Sequence, residues 1–185
     1  MFDLDQFIAD CNTAVRADRS HKLVREVVAR AVSDPTAVIA GLGEPRRAEV
    51  QKLYNSPELT ILNVIWGPLM TIIPTQSLDV GSDRCLHRAR GQYLLAPSKE
   101  KAGAKVEAAG AKSLGERDAE PLGCDIIHSV TNPLSRVTGT IHVYGGDFFS
   151  VSRSEWDPET LLERNYDMEK NLRLFEAANL AYANL

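Results

Sequence analysis

Three hydrogen-bonding side chains alternate along the segment Thr140-Ile141-His142-Val143-Tyr144. On a β-strand, Thr140, His142 and Tyr144 share one face, and the two apolar residues between them share the other. A hydroxyl can fix the tautomer of an imidazole, and the imidazole can orient a phenol. The pattern therefore predicts a relay on an inward face, and the alternative, a solvated face of an edge strand, is about equally supported by these residues alone.

A second histidine, His128, lies in a β-branched run, Ile126-Ile127-His128-Ser129-Val130, which ends at a predicted turn at Asn132-Pro133. A histidine in such a strand is more often a satisfied core or rim residue than a metal ligand. On its own, His128 therefore predicts no metal site. After Tyr144, the pair Gly145-Gly146 predicts a sharp turn, because glycine tolerates positive φ.

The elements around these residues divide into a helical part and a β-rich part. Apolar periodicity predicts helices over residues 2–11 and 21–32, a short helix over 37–40 and a helical turn over 48–54. From Leu59 the chain reads as short strands separated by turn residues, which favours a sandwich or barrel. The first strand is Leu59–Trp66, and others are expected over 125–130 and 137–144, with a loop and short strand around 105–108. An amphipathic helix is predicted over 168–183.

Residues 73–98 do not resemble the chain on either side, because they show neither strand alternation nor a core-building run. We hypothesise that about residues 74–97 are translated in the wrong reading frame. Reading one base later from Pro74 permits Pro-His-Asn-His-Trp-Met-Trp-Ala-Val-Ile-Gly-Val-Tyr-Thr-Gly-Arg-Glu. Each shifted codon has two bases constrained by its neighbours, so a coherent string of this length is not expected by accident. The shifted text opens with His-x-His, which places two imidazoles on one side of a strand.

The bulk properties describe an ordinary globular chain. It has 185 residues, 44% hydrophobic and 25% charged, with a formal charge of −4. Scattered Lys and Arg argue against a nucleic-acid surface. We find no secretory signal and no apolar run long enough to span a bilayer, so neither nucleic acid nor membrane is an expected partner. Three cysteines without paired spacing do not predict a disulfide framework, and the expected location is the cytoplasm.

Taken together, the motif around His128, the Ile141-His142-Val143-Tyr144-Gly145-Gly146 pattern and the hidden Pro-His-Asn-His resemble the cysteine dioxygenase-like family of cupins. The similarity runs from about Leu53 to Asp157. It implies a mainly β, cupin-type double-stranded β-helix (a jelly-roll barrel) with N-terminal helices and a C-terminal helix. The expected organisation is a single domain, 1–185, with a helical part over 1–55, the barrel over 56–157 and the closing helix over 158–185.

The resemblance also implies a site with one non-haem Fe(II). His128 would be the third iron ligand, and the two histidines of the hidden His-x-His would be the first and second. His142 and Tyr144, with Thr140 where relatives often carry serine, would form the catalytic relay beside the metal. Three neutral imidazoles leave open positions for a thiolate and O₂, and oxygen delivered to sulfur gives a sulfinate. Tyr144 would donate a hydrogen bond to the oxygen species or to the substrate.

Two departures from the family pattern bear on this reading. The stretch Leu53-Tyr54-Asn55-Ser56-Pro57 lacks the arginine with which cysteine dioxygenases hold the substrate carboxylate, which puts cysteine in doubt as the substrate. This sequence also lacks His-x-His, so only one firm ligand remains and the chain is expected to be inactive or nearly so. Charged residues replace the apolar ones that the barrel needs, so we expect a barrel disrupted at 74–98.

The leading hypothesis is an iron-dependent thiol dioxygenase that oxidises a small thiol with O₂. One alternative is a metal-free cupin binding module or pseudoenzyme. A further alternative is a metal cupin of another reaction type, since a three-histidine site accepts several divalent ions. The oligomeric state is left open by the sequence.

Overall fold

The computed structural model describes residues 2–18, 20–76, 85–87, 92–97, 105–122 and 126–183, and for residues 85–87, 92 and 93 it describes the backbone alone. The helices within these ranges are α1 (Leu4–Ala17), α2 (His21–Ala31), α3 (Pro35–Leu42) and α4 (Met168–Ala183). The strands are β1 (Glu49–Asn55), β2 (Leu59–Trp66), β3 (Thr75–Gln76), β4 (Cys85–His87), β5 (Gln92–Pro97), β6 (Val106–Lys112), β7 (Glu120–Leu122), β8 (Ile127–Val130), β9 (Thr138–Gly145), β10 (Ser154–Trp156) and β11 (Glu163–Asn165). The prediction of a mainly β fold with N-terminal and C-terminal helices is confirmed.

The N-terminal helices begin at residues that can accept hydrogen bonds from the first helical turn. The side chains of Asp3, Ser20 and Asp34 each accept from a backbone N–H at the start of α1, α2 and α3. Each cap satisfies one of the donors that a helix start leaves open. In the part of the chain that the structure describes, no helix has both the length and the apolar content needed to cross a membrane.

The strands form two antiparallel sheets. The first has the order β1-β2-β9-β4-β7, and the second has the order β11-β10-β3-β8-β5-β6. Between β2 and β9 the register runs without interruption from Leu59 opposite Gly145 to Trp66 opposite Thr138. This long pairing places the inner face of β9 next to the inner face of β2. From β2 to β9, strands adjacent in sequence mostly lie in different sheets, so the residues of the site come from both.

Every residue of β2 is buried, because both faces of the first sheet are covered. Its odd-numbered residues, such as Leu59 and Ile61, pack with Val143 of β9 in a cluster that contains α1 and α2. Its even-numbered residues pack toward α4 and β8 in a second cluster, which contains Leu62, Val64, Trp66, Val130 and Phe175. A strand covered on both faces shows a continuous apolar run rather than strict alternation. This explains the composition of Leu59–Trp66.

One of the element predictions is wrong. Residues 48–54 were expected to form a helical turn but form β1, which pairs antiparallel with β2. The edge of β2 offers unpaired backbone groups, and pairing with them outweighs a weak local helical preference. The predicted helical part over 1–55 therefore ends before Glu49. The closing helix predicted over 168–183 is α4, and it is preceded within 158–185 by β11, because Glu163–Asn165 pairs with β10.

The segment 74–98 was expected to be irregular. Where it is described, its backbone instead forms three strands. Of these, β3 pairs with β8, β4 pairs with β7 and β9, and β5 pairs with β6 and β8. Regular strands therefore occur within the segment, and the expected disruption of the barrel stays a prediction. Residues 77–84, 88–91 and 98, and the side chains of 85–87, 92 and 93, lie outside the described part. The inward packing of the segment and the frameshift hypothesis both stay predictions.

Candidate functional site

The predicted relay is formed by side chains on the inner face of β9. Thr140 Oγ1 lies 2.8 Å from His142 Nε2, and His142 Nδ1 lies 3.0 Å from Tyr144 Oη. Thr140 and His142 are buried, and Tyr144 is half-buried at the edge of a cavity. The alternation along β9 places all three on one face, as the sequence predicts. Their catalytic role stays a prediction.

The inner end of the relay is fixed by β2, the neighbouring strand. The indole Nε1–H of Trp66 donates to Thr140 Oγ1 over 2.7 Å. The hydroxyl of Thr140 also lies 3.2 Å from the carbonyl oxygen of Val64, which is directly opposite it in the sheet. Trp66 is itself held by Phe175 of α4, with ring centroids 5.8 Å apart. The relay therefore has four members, and sequence analysis missed Trp66 because this contact depends on strand register.

A cavity of about 90 Å³ opens beside the relay. Both sheets, α4 and the segment after β9 contribute to its wall, which includes His128 from β8, Gln76 from β3, Asn171 from α4 and Arg153. The remaining lining residues are Val50, Val64, Trp66, Ile72, Thr75, Val130, His142, Tyr144, Phe148, Tyr166 and Phe175. His128 and the relay lie on separate strands, as predicted, and the structure brings them to one cavity.

Both cavity histidines are neutral at physiological pH because of burial. Loss of solvent lowers the pKa of His128 to about 4; a backbone hydrogen bond at Ile126 opposes this shift, and the positive charge of Arg153 adds to it. Loss of solvent, with a smaller contribution from His128, lowers the pKa of His142 to about 3. A neutral imidazole keeps a lone pair for a metal or a hydrogen bond. The nitrogens of His142 are engaged by Thr140 and Tyr144.

Arg153 is a second residue of this site that sequence analysis did not identify. It is 8% exposed, and its Nε has no hydrogen-bond partner among the described residues. Its guanidinium lies between two aromatic rings, 3.7 Å from the centroid of Phe148 and 3.9 Å from that of Tyr166. The rings stabilise the cation and fix its plane but leave hydrogen-bonding capacity at its edge. A buried arginine of this kind is suited to a carboxylate ligand.

A buried carboxylate two residues further along positions the elements around Arg153. Glu155 is 1% exposed and accepts hydrogen bonds from Arg164 Nε at 2.7 Å, Asn171 Nδ2 at 3.0 Å, the backbone N–H of Asp167 at 3.2 Å and Lys170 Nζ at 3.3 Å. These contacts join β10 to β11 and to the start of α4. Glu155 is the acidic residue nearest to Arg153 in sequence, and its carboxylate is paired with Arg164 and Lys170 instead.

The described residues fit an iron site only in part. His128 offers one neutral imidazole toward the cavity, and one ligand is too few to hold Fe(II). Among the residues that the structure describes, no group of three or more His, Cys, Asp or Glu side chains is arranged to hold a metal ion. The shifted His-x-His of the frame hypothesis falls on residues outside the described part. No chemical step through iron is therefore derived for the chain as it stands.

A larger cavity, of about 490 Å³, lies between α3 and the beginning of β9. Its wall contains apolar residues of α3, including Val38, Ile39 and Leu42, together with Arg46 and Arg136. The described residues that line it include neither histidine nor cysteine. The groups with the chemistry of a catalytic site therefore surround the smaller cavity.

Comparison with known proteins leaves the family open. No protein-family model matches the chain, and no curated protein matches it. Among solved structures, it is similar to the crystal structure of TT1209 from Thermus thermophilus, with 15% sequence identity and a TM-score of 0.34, over 56% of this chain and 87% of that one.

Proposed function

We propose that the chain has the jelly-roll topology of the cupins and that, with its reading frame restored over about residues 74–97, it is a non-haem iron thiol dioxygenase. The strands β2 to β9 support the fold. They pair as β2-β9-β4-β7 in one sheet and as β3-β8-β5-β6 in the other. Two four-stranded sheets that share eight consecutive strands in this way are the pattern of a double-stranded β-helix.

The substrate class that we propose is a small thiol that also carries a carboxylate. The observation that carries this proposal is the buried Nε of Arg153, which has no hydrogen-bond partner among the described residues and lies in the same cavity as His128 and the relay. A mercaptocarboxylate would place its carboxylate at Arg153 and its sulfur at the His128 end of the cavity. The arginine missing from residues 53–57 is then supplied by a different part of the chain, after β9.

The reaction is RSH + O₂ → RSO₂H. Both oxygen atoms are bonded to sulfur in the product, so sulfur is oxidised by four electrons and O₂ is reduced. Bound Fe(II) would supply the site at which the thiol is deprotonated and O₂ is activated. The chain's own residues supply the rest: Arg153 binds the carboxylate, His142 and Thr140 orient Tyr144, and Trp66 and Phe148 exclude water from the cavity.

The experiment begins with the gene. Sequencing codons 74–97 decides whether the frame is shifted in the gene itself. The frame-restored protein and the present chain are then purified, iron is measured in each, and oxygen uptake is followed with mercaptoacetate, with cysteine and with mercaptoethanol, which lacks a carboxylate. We expect iron and uptake only in the frame-restored protein, with mercaptoacetate preferred over mercaptoethanol.

Arginine variants test the carboxylate role separately. Arg153→Lys keeps the charge but loses the planar fork, and Arg153→Met loses both. Removing a desolvated partner of a charged group costs about 2–5 kcal/mol, so Arg153→Met should raise KM for mercaptoacetate by roughly 30-fold or more and leave mercaptoethanol unaffected. Equal losses for both thiols would refute the assignment of Arg153 to the carboxylate.

The second candidate function is a metal-free binding module, which the single described ligand, His128, favours for the chain as it stands. In that case the cavity keeps Arg153 for an anionic ligand, and metal is absent from the frame-restored protein as well. A frame-restored protein that binds metal but consumes no oxygen with any thiol would instead point to a metal cupin of another reaction type.

A further inference from the structure

Asn171, in the first turn of α4, contributes a polar side chain to the wall of the small cavity. Its amide nitrogen Nδ2 donates to Glu155 Oε2 over 3.0 Å and to the carbonyl oxygen of Asp167 over 2.9 Å. A carbonyl only accepts, and so does a carboxylate that is paired with cations. An amide turned the other way would place its oxygen against these two acceptors. The orientation of the Asn171 amide is therefore fixed by its partners.

The amide oxygen is the part of Asn171 that is left for a ligand. Both amide hydrogens are used, and the described part of the chain supplies no donor to Oδ1. Asn171 is only 5% exposed, yet Oδ1 is not one of the fully enclosed polar atoms that lack a partner, a group whose one described member is Arg153 Nε. Oδ1 therefore keeps contact with open space, and Asn171 lines the cavity.

The hydrogen bond to Glu155 makes this oxygen a stronger acceptor. A carboxylate that accepts from an amide N–H polarises the amide, because the negative charge attracts the amide hydrogens and leaves more electron density on the amide oxygen. Glu155 is itself held by Arg164 and Lys170, at 2.7 Å and 3.3 Å. Glu155 is thus a positioning residue, which acts on a ligand through Asn171.

The cavity therefore presents an acceptor as well as a donor. Arg153 Nε is a donor without a partner among the described residues, and Asn171 Oδ1 is an acceptor. Both side chains are more than nine-tenths buried. Buried polar groups without partners cost free energy, and a ligand with complementary groups recovers it. A carboxylate alone would satisfy Arg153 but would bring no donor for Asn171.

We infer that Asn171 is a specificity-determining residue of this cavity, and that it accepts a hydrogen bond from a hydroxyl of the ligand whose carboxylate Arg153 binds. This inference rests on the proposed assignment of Arg153 to a carboxylate, and it does not depend on iron. In a cavity of about 90 Å³ the two ligand groups are only a few atoms apart, as in a small hydroxy acid. For the proposed dioxygenase, the substrate is then a mercapto acid that also carries a hydroxyl.

The charges around Asn171 favour a neutral donor over an ammonium. Arg153 contributes a positive charge to the same cavity, and the start of α4 adds a partial positive charge. The carboxylate of Glu155 is already paired with two cations, and that of Asp167 caps α4 and lies 4.0 Å from Arg173. An ammonium at Asn171 would lose its hydration without gaining a free anionic partner among the described residues. A hydroxyl needs only the acceptor.

Four small acids test the inference on the chain as it stands, without iron. Propanoate carries no donor, 2-hydroxypropanoate and 3-hydroxypropanoate carry a hydroxyl at two positions, and alanine carries an ammonium. Ligand-observed NMR at neutral pH measures their dissociation constants. One added hydrogen bond corresponds to a factor of about five to ten in affinity. We expect the better-bound hydroxy acid to exceed both propanoate and alanine by this margin.

Two substitutions on α4 provide the matched comparison. Asn171→Ala removes the acceptor, so the preference for the hydroxyl should disappear while the affinity for propanoate stays within about twofold of wild type. Asn179→Ala removes an amide of the same helix that bonds to the backbone of Ala48 and does not line the cavity, so this variant should keep the preference. If Asn171→Ala fails to fold, the order of the four acids on the wild-type chain decides alone.

Three results would overturn the inference and leave the carboxylate assignment of Arg153 in place: propanoate that binds as tightly as both hydroxy acids, alanine that binds tightest, or a hydroxyl preference that survives in Asn171→Ala. A chain that binds none of the four acids overturns both assignments. Since neither metal nor oxygen is used, each of these failures is distinguishable from failure of the dioxygenase proposal.

Discussion

Replacing Arg153 by methionine should leave the stability of the protein almost unchanged, although the residue is buried. A buried cation without an anionic partner loses several kcal/mol of solvation. The faces of Phe148 and Tyr166 return about 2 kcal/mol each, or about 4 kcal/mol together. Methionine has a similar length, and its thioether contacts the same rings for about 0.3–1.5 kcal/mol each. The free energy of unfolding of Arg153→Met should therefore lie within about 1 kcal/mol of wild type, or above it.

The matched control is the same substitution at Arg164. That guanidinium is 39% exposed and bonds to the buried Glu155 carboxylate over 2.7 Å. Its removal leaves Glu155 with Lys170 as its remaining cationic partner. A hydrogen bond to a charged group contributes about 1.5–3 kcal/mol, and partial exposure lowers this to about 2 kcal/mol. Arg164→Met should therefore destabilise the protein more than Arg153→Met does.

Urea unfolding at neutral pH measures both variants, with the midpoint and the slope recorded separately so that a change in compactness is recognised. The reasoning is refuted if Arg153→Met costs as much as Arg164→Met, or more. That result would mean that Arg153 is present for stability, and that its unpaired Nε does not mark a ligand position.

Three further outcomes follow from the same residues. Acidification from pH 6.5 to pH 5 should destabilise the fold by about 2 kcal/mol for each of His128 and His142, because both pKa values lie well below the unfolded value. Urea midpoints across this range measure the loss of stability, and His142→Gln should remove about half of the pH dependence. A pH-independent midpoint would contradict burial of the neutral rings. Trp66→Phe keeps an aromatic ring but deletes the donor to Thr140 and part of the buried side chain, and should cost at least about 1 kcal/mol in unfolding free energy. An unchanged midpoint would show that the indole bond contributes nothing. Cys11 is fully buried and burial raises the pKa of its thiol to about 12, so a thiol reagent should modify it only as fast as the protein opens; rapid labelling of this cysteine under native conditions would contradict its burial.

The sign of the pH effect comes from which state binds more protons. The folded state holds His128 and His142 neutral until the pH approaches 4 and 3, respectively, whereas the unfolded chain begins to protonate them near 6.5. In that window the unfolded state takes up more protons, so stability falls as the pH falls. Above about pH 8 the two histidines are neutral in both states and contribute no pH dependence.

Apolar periodicity and a continuous apolar run in the sequence each predicted an element with its bounds. The helix over 168–183 has the predicted bounds, and the strand Leu59–Trp66 is also where it was expected. β1 was not predicted, because residues 48–54 form a strand only in the presence of the β2 edge. Local preference is a weak guide wherever an unpaired neighbouring strand is available.

The residues of the site likewise divide into those that the sequence predicts and those that it does not. Thr140, His142 and Tyr144 come together because they alternate on one strand, which a sequence displays directly. Arg153 lies in an irregular segment, and the two rings that enclose it come from before β10 and after β11. The only feature of the sequence that could have indicated Arg153 is its position two residues before Glu155, which turns out to be buried. Such a cluster is assembled by tertiary structure and has no spacing of its own.

The most direct test of the central claim is the amount of iron bound by the frame-restored protein, measured beside the present chain and a frame-restored His128→Ala variant. We predict close to one iron per frame-restored chain, with oxygen uptake on addition of mercaptoacetate, and little iron in the other two proteins. An intact gene that already encodes residues 74–97 as they stand, or a frame-restored protein that folds and binds no metal, would contradict the account.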